Sequence, residues 1–203
     1  MGNYTQDRYH IMQSLIEASY PKDKIVLDLG AGPDPISASV KCHQCILMDH
    51  NPSSRPTVTC NFLQGIPLAD NSVDIIILGE ILEHVTRSRY FLREMRRILR
   101  VGGVVVLSVP NIVSLKYRIA FLLGRIPAHA AKADYTYDET NPYGHVRDYS
   151  FGEIRKVFTD HGFRIVAERG NGMYIGNRRI IHPRLMPVTL SDNVIVQAVK
   201  SEK

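Results

Sequence analysis

The stretch Lys24-Ile25-Val26-Leu27-Asp28-Leu29-Gly30-Ala31-Gly32 decides the fold. Its apolar run is short enough for a strand buried on both faces. The two glycines after it let the chain turn tightly and bring its backbone close to a ligand with no Cβ in the way. Together they read as the first strand and glycine turn of a nucleoside-cofactor pocket in an open α/β sheet. Pro33-Asp34-Pro35 follows, with Asp34 read as an N-cap and Pro35 as the first residue of a helix.

The same grammar repeats on either side. Ile11, Met12, Leu15 and Ile16 give residues 8–19 an apolar stripe at helical spacing, ended by Pro21. Downstream, strands are expected at Cys45–Asp49, Thr57–Thr59, Val73–Leu78, Val104–Val109, Phe163–Glu168 and Asn193–Val199. Helices are expected over 88–99, stopped by Gly102-Gly103, and from a Ser150/Glu153 capping box to Gly162. Alternation of this kind implies a parallel sheet covered on both faces. Residues 111–149 and 170–191 break it. The first holds an extra apolar helix near 112–124 and a Tyr/Asp-rich loop, and the second is rich in Gly, Pro and Arg. Both read as substrate-facing insertions on a single domain spanning 1–203, since long loops in compact domains tend to be functional.

Bulk properties narrow the function. The chain has 203 residues, 44% of them hydrophobic and 22% charged, as in a soluble globular domain. No apolar run approaches the roughly 20 residues of a membrane span. The first residues lack the basic and apolar regions of a secretory signal, so a cytoplasmic enzyme is expected. The net charge of +5 arises in the C-terminal half. It suits an anionic acceptor or a merely solvated surface. No Lys/Arg run reaches the density of a nucleic-acid tail. Of the three cysteines, Cys42 and Cys45 have metal-like spacing but no second pair, so no metal is expected.

In open α/β sheets ligands bind beyond the carboxyl ends of the strands. Asp49 ends the second strand, 21 residues beyond Asp28, where a carboxylate accepts the hydroxyl protons of a ribose. Asn61-Phe62 after the third strand offers a polar and an apolar partner to an adenine. Gly79-Glu80-Ile81-Leu82-Glu83-His84-Val85 follows the fourth. Pro35 stands where a dinucleotide motif needs its third glycine, so a compact nucleoside with a small charged tail fits better than a pyrophosphate.

Val26–Gly32, Asp49, the Pro67–Asp74 turn, Ile81–Val85, Leu99–Gly103 and Val109–Asn111, in this order, resemble class I S-adenosylmethionine-dependent methyltransferases, within them the broad type 11 group. His145–Ser150 and the helix after it are similar to a segment common there. The resemblance covers about residues 22–168. It implies a Rossmann-like α/β fold: a seven-stranded, mostly parallel sheet, helices on both faces and an antiparallel last strand. It also implies that Asp28, Gly30 and Gly32 cradle the methionine part of S-adenosylmethionine, Asp49 holds the ribose, Asn61 and Phe62 flank the adenine, and Gly79 and Glu80 lie beside the methionine tail, with Ala31 and His50 also among the cofactor-binding residues. Two positions depart from the pattern: Asp34 replaces a third glycine, and Asn61 an acid.

A sulfonium methyl is already activated, so the protein must mainly hold the nucleophile in line and exclude water. An oxygen or carbon nucleophile also needs a base, and His84, His145 and Tyr149 are the candidates. Glu83 reads as ordering the turn. Arg178, Arg179 and Arg184 read as anion ligands or as solvated charges. The helix near 112–124 suits a lid, an interface or a lipid-like acceptor. The leading expectation is a methyltransferase acting on a small molecule. A cofactor-binding protein without robust catalysis, prompted by the Asp34 loop, and an NAD-type oxidoreductase stay open as alternatives.

Overall fold

A computed structural model describes residues 3–126 and 144–202. Nine strands and four α-helices alternate through it. Strands β1 (Ile25–Leu29), β2 (Gln44–Asp49), β3 (Val58–Thr59), β4 (Val73–Gly79), β5 (Leu99–Pro110), β6 (Phe163–Arg169) and β9 (Asn193–Lys200) form one sheet in the order β3-β2-β1-β4-β5-β9-β6. β9 runs antiparallel to both its neighbours, and the other pairings are parallel. β7 (Met173–Ile175) and β8 (Arg178–Ile181) form a separate hairpin.

Side-chain alternation divides the core into two layers. Leu27, Leu29, Ile76, Leu78, Val105 and Leu107 face helices α2 (Ser88–Ile98) and α4 (Phe151–Asp160), which contribute Phe91, Leu92, Met95, Ile154 and Phe158. Val26, Ile75, Ile77, Val104 and Val106 face α1 (Tyr4–Glu17) through Met12, Leu15 and Ile16. Strand order reverses at β1, which lies between β2 and β4, so the crevice for a ligand opens at the ends of those three strands.

Three elements differ from expectation. The segment after Pro35 is a 3-10 turn, Ile36–Ser39, rather than an α-helix, and Asp34 does not cap it. Pro35 sits in extended backbone, and the first captured amide is that of Ser37, which donates to Asp28 Oδ2 at 2.9 Å. Helix α2 ends at Ile98, before the glycine pair, because Leu99 already pairs with Val73 in the sheet. Gly102 and Gly103 lie in an irregular stretch of β5, where Gly102 takes φ +75°. The 170–191 segment is ordered as the β7–β8 hairpin and two 3-10 turns. Asp7 of α1 ties the hairpin down, accepting from the Tyr174 hydroxyl and pairing with Arg179 at 3.0 Å. Arg179 is therefore a structural cation, while Arg178 and Arg184 are exposed. The extra apolar helix is α3 (Leu115–Leu122). The Tyr/Asp-rich loop after it lies outside the described residues.

Candidate active site

Three adjacent strand ends build the site. β1 runs into Gly30, whose backbone at φ +68° admits a side chain only under strain. A Cβ there would lie 2.2 Å from Ile81 Cδ1, so glycine also makes room for the β4 loop. β2 ends in Asp49, buried at 6% exposure, whose Oδ2 accepts from Gly32 N at 2.9 Å and Oδ1 from Asn51 N at 2.8 Å. β4 ends in Gly79, followed by Glu80 at φ +57°, a conformation that side chains rarely adopt.

Glu80 is held there from three elements. Arg8 Nη1 of α1 is 3.1 Å from Oε1, Asn193 Nδ2 at the start of β9 donates to the same oxygen at 3.1 Å, and the Glu80 amide donates to Ser108 O at 3.0 Å. Strain at one residue persists only where its surroundings over-determine it, and such strain collects at functional sites.

Between Asp49 and Glu80 lies a cavity of about 340 Å3. Of the residues expected to bind cofactor, Gly30, Asp49, His50, Asn61, Phe62 and Glu80 line it, as does His84. Leu63, Ile81 and Val85 complete its apolar walls. Phe62 is braced by Phe91 at a ring-centroid distance of 5.7 Å. Asn61 Oδ1 accepts from Leu63 N at 3.1 Å, which fixes the turn that presents Phe62.

Four expected residues lie behind the wall rather than on it. Asp28 is buried at 2% exposure beneath the glycine turn. Burial, with Asp49 nearby, pushes its carboxyl up to about 6 against the amide of Ser37. Ala31 and Gly32 shape the turn, with the amides of Gly30 and Ala31 donating to Met48 O. The missing Cβ of Gly79 makes room for Ile36 Cδ1, which an ideal Cβ would meet at 2.4 Å.

A second cavity, of about 440 Å3, shares Glu80 with the first. Tyr4, Lys116, Tyr117, His145, Asn177 and Asp192 are among its walls. It thus draws on α1, α3, the 144–149 segment and the hairpin. Burial pushes the Tyr4 hydroxyl up to about 12. Lys116 is paired with buried Asp192 at 2.8 Å.

At the junction of the cavities Glu83, His84 and His145 converge. Their candidate ligand atoms lie within 4.8 Å of one another. Glu83 is 1% exposed, and burial raises its carboxyl to about 8. Neither of its carboxylate oxygens has a hydrogen-bond partner among the described residues. Its backbone carbonyl accepts from Val146 N at 2.9 Å and Arg147 N at 3.2 Å, which brings the His145 segment onto the β4 loop. His84 Nδ1 lies 3.2 Å from Gly144 O, its Nε2 lies 4.0 Å from Glu83 Oε1, and its ring meets that of His145 edge-on at 4.9 Å.

Tyr149 is not one of these three residues, although Glu83 is near enough to act on its hydroxyl. It is 5% exposed, packs in the core with α4, and its hydroxyl is pushed to about 12 by burial, which disfavours a proton-accepting role. The apolar stripe gives no sign of Arg8 and Tyr4 as site residues, because it marks the helix only over 8–19 whereas α1 begins at Tyr4. The polar residues upstream, with Asn3 as an N-cap, were the available signal. Cys42, Cys45 and Cys60 are free thiols and join no metal-ligating group among the described residues.

Comparison with known proteins adds independent findings. A family model described as hypothetical methyltransferase matches residues 7–128. A "probable S-adenosylmethionine-dependent methyltransferase" of Mycobacterium tuberculosis (strain CDC 1551 / Oshkosh) is 28% identical over 180 residues, which cover 83% of this chain and 58% of the relative. The chain therefore matches little more than half the length of that curated relative. Among solved structures, a methyltransferase of Methanosarcina mazei described as S-adenosylmethionine-dependent superposes with a TM-score of 0.65 at 18% identity. The match covers 93% of this chain and 98% of that one. The 1,6-didemethyltoxoflavin-N1-methyltransferase of Burkholderia thailandensis, solved with 1,6-didemethyltoxoflavin and S-adenosylhomocysteine bound, superposes with a TM-score of 0.63 at 15% identity, covering 96% and 78%. At these identities the structures speak to the fold.

Proposed function

The chain belongs to the methyltransferase family whose model spans residues 7–128, and from that premise we propose that it transfers a methyl group from S-adenosylmethionine to a small-molecule acceptor. The observation that carries the proposal is the cavity between Asp49 and Glu80, bracketed by three adjacent strand ends at the point where strand order reverses. Its volume of about 340 Å3 is at the small end of cofactor sites. Its donor set fits a nucleoside with a cationic tail. Asp49 keeps lone pairs for ribose hydroxyls after satisfying two amides, Phe62 offers a ring face beside Asn61, and Glu80 supplies negative charge at the other end.

When bound, S-adenosylmethionine supplies a methyl group activated by its sulfonium. The chain's own part is to hold that group at one side of Glu80 and the acceptor at the other. The second cavity, of about 440 Å3, is the proposed acceptor site. Residues from both interrupting segments line it, Lys116, Tyr117 and His145 from 111–149 and Asn177 from 170–191, which supports their reading as a substrate-facing lid on a single domain. Among the described residues no helix is long and apolar enough to cross a membrane.

Titration calorimetry with S-adenosylhomocysteine and with NAD tests the cofactor assignment. The first is expected to bind and the second not, and tight NAD binding without a response to S-adenosylhomocysteine would overturn it. Methyl transfer is read by label from S-adenosylmethionine across hydroxyl, amine and thiol acceptors. Binding without transfer to any of them would favour a cofactor-binding protein instead.

A further inference from the structure

We infer that Glu83, His84 and His145 form a binding site for one divalent transition-metal ion, at the junction of the two cavities, where the ion would hold an oxygen atom of the acceptor. The inference deepens the proposed function and rests on it for the acceptor. The metal site itself stands on three separate observations.

The first is the donor set. Two imidazoles and one carboxylate is the ligand set of catalytic sites that keep a coordination position open for water or substrate. Imidazole donors favour zinc and its first-row neighbours over magnesium and calcium, which prefer all-oxygen shells. The three ligand atoms lie within 4.8 Å of one another. Around a tetrahedral ion with bonds of about 2.0–2.1 Å, ligand atoms sit roughly 3.4 Å apart. Small side-chain rotations close that gap.

The second is the buried carboxylate. Glu83 is 1% exposed, and neither oxygen finds a hydrogen bond among the described residues. A buried carboxylate is retained where it is paired or bound to metal. Arg8 is a nearby cation, but it pairs with Glu80 at 3.1 Å.

The third is the orientation of His84. With Nδ1 3.2 Å from the carbonyl of Gly144, the ring proton belongs on Nδ1, and Nε2 turns its lone pair toward Glu83. Metal-ligating histidines are held by such a backbone contact on the other ring nitrogen.

Position gives the site its use. His84 lines the proposed cofactor cavity, His145 lines the proposed acceptor cavity, and Glu80 borders both. An ion there lies where acceptor and methyl group must meet. It would select acceptors that offer oxygen, and it makes the two histidines ligands rather than free bases.

The test is direct metal binding to the full chain, stripped with EDTA and free of any nucleoside. Calorimetry with zinc chloride is expected to give one site per chain. Glu83→Gln and His145→Ala are expected to weaken it at least ~10-fold, whereas the Cys42→Ser/Cys45→Ser double variant keeps it. As a readout that needs no variant, cobalt(II) added to the stripped protein is expected to show visible d–d absorption without the intense near-ultraviolet band of thiolate ligation. Absence of stoichiometric binding would overturn the inference. So would zinc affinity unchanged in both ligand variants, or a thiolate band lost with the cysteines. S-adenosylhomocysteine titration of the same stripped protein keeps failure of the metal site distinct from failure of the methyltransferase reading.

Discussion

Asp28→Asn should make this protein more stable at neutral pH, although Asp28 sits at the heart of its most diagnostic motif. The carboxyl is buried at 2% exposure on the α1 side of β1, and burial raises it from 3.8 to about 6. That interval corresponds to ~3 kcal/mol of unfavourable ionisation in the folded state at pH 7. The sign follows from linkage. A raised folded value means that the native state binds the proton more tightly than the unfolded chain. Stability from this group is therefore full below about pH 4 and is lost as pH rises to about 6. An asparagine still accepts the Ser37 amide through Oδ1, and the value of about 6 already contains that amide's preference for the charged form. The net gain at pH 7 is therefore ~3 kcal/mol. Urea unfolding of both proteins from pH 4 to pH 7.5 measures it. The difference between them isolates Asp28, because Asp74, held low by the Ile25 amide and by Arg100 against its burial, and Glu94, held low by Arg97, titrate alike in each protein. The variant's advantage should grow between pH 4 and pH 6.5 and then level off. A difference that stays flat with pH, or that favours the wild type more as pH rises, would show that the burial of Asp28 is not what sets its ionisation.

Other expectations follow from particular contacts. Asp49→Ala should lower S-adenosylhomocysteine affinity at least ~10-fold in calorimetry while far-ultraviolet circular dichroism is unchanged, since the Gly32 and Asn51 amides it frees are each worth only ~1 kcal/mol. Gly30→Ala places a methyl 2.2 Å from Ile81 Cδ1 and strains the backbone at φ +68°. It should cost ~1–3 kcal/mol in thermal unfolding. Adding Ile81→Ala should remove the clash yet leave the strain, so rescue is partial. Asp7→Ala releases Tyr174 and Arg179 together, and limited proteolysis should then cut within 173–181 faster than in the wild type.

Long apolar strands were legible because burial on both faces leaves an unbroken hydrophobic run. Val73–Leu78 reads to within one residue, whereas Val104–Val109 is the apolar part of a strand that begins five residues earlier, at Leu99, and includes Arg100 and the glycine pair. The capping box at Ser150/Glu153 was equally legible, since both reciprocal contacts are local in sequence. Asp34-Pro35 misled because capping chemistry is also local, whereas the Ser37 amide is taken by a carboxylate nine residues upstream. Asp49, Phe62 and Glu80 were legible as neighbours of one cavity because strand ends order them along the chain. Arg8, Tyr4 and the Glu83–His145 contact were not, because each joins segments whose approach depends on packing. The His145 segment reaches Glu83 through hydrogen bonds from the Val146 and Arg147 amides that no side-chain pattern announces.

Glu80 draws these strands of evidence together. Its backbone is strained, and the groups that hold it come from the N-terminal helix, from β5 through Ser108 and from β9 through Asn193. Asn193 is itself held by Asn171, which donates to Asn193 Oδ1 at 2.7 Å and accepts the Asn193 amide at 2.9 Å. Asn111 at the end of β5 donates to Thr189 and Ser191 carbonyls and so fastens the segment that carries the hairpin. The segment that carries the hairpin contributes little to the two hydrophobic layers, and it is bound to the strand ends by buried polar contacts. Such contacts specify geometry rather than supply burial energy, because each unsatisfied member would be penalised in the low-dielectric interior. What they fix is the relative placement of two cavities across one side chain, which is what transfer of a group between two bound molecules demands.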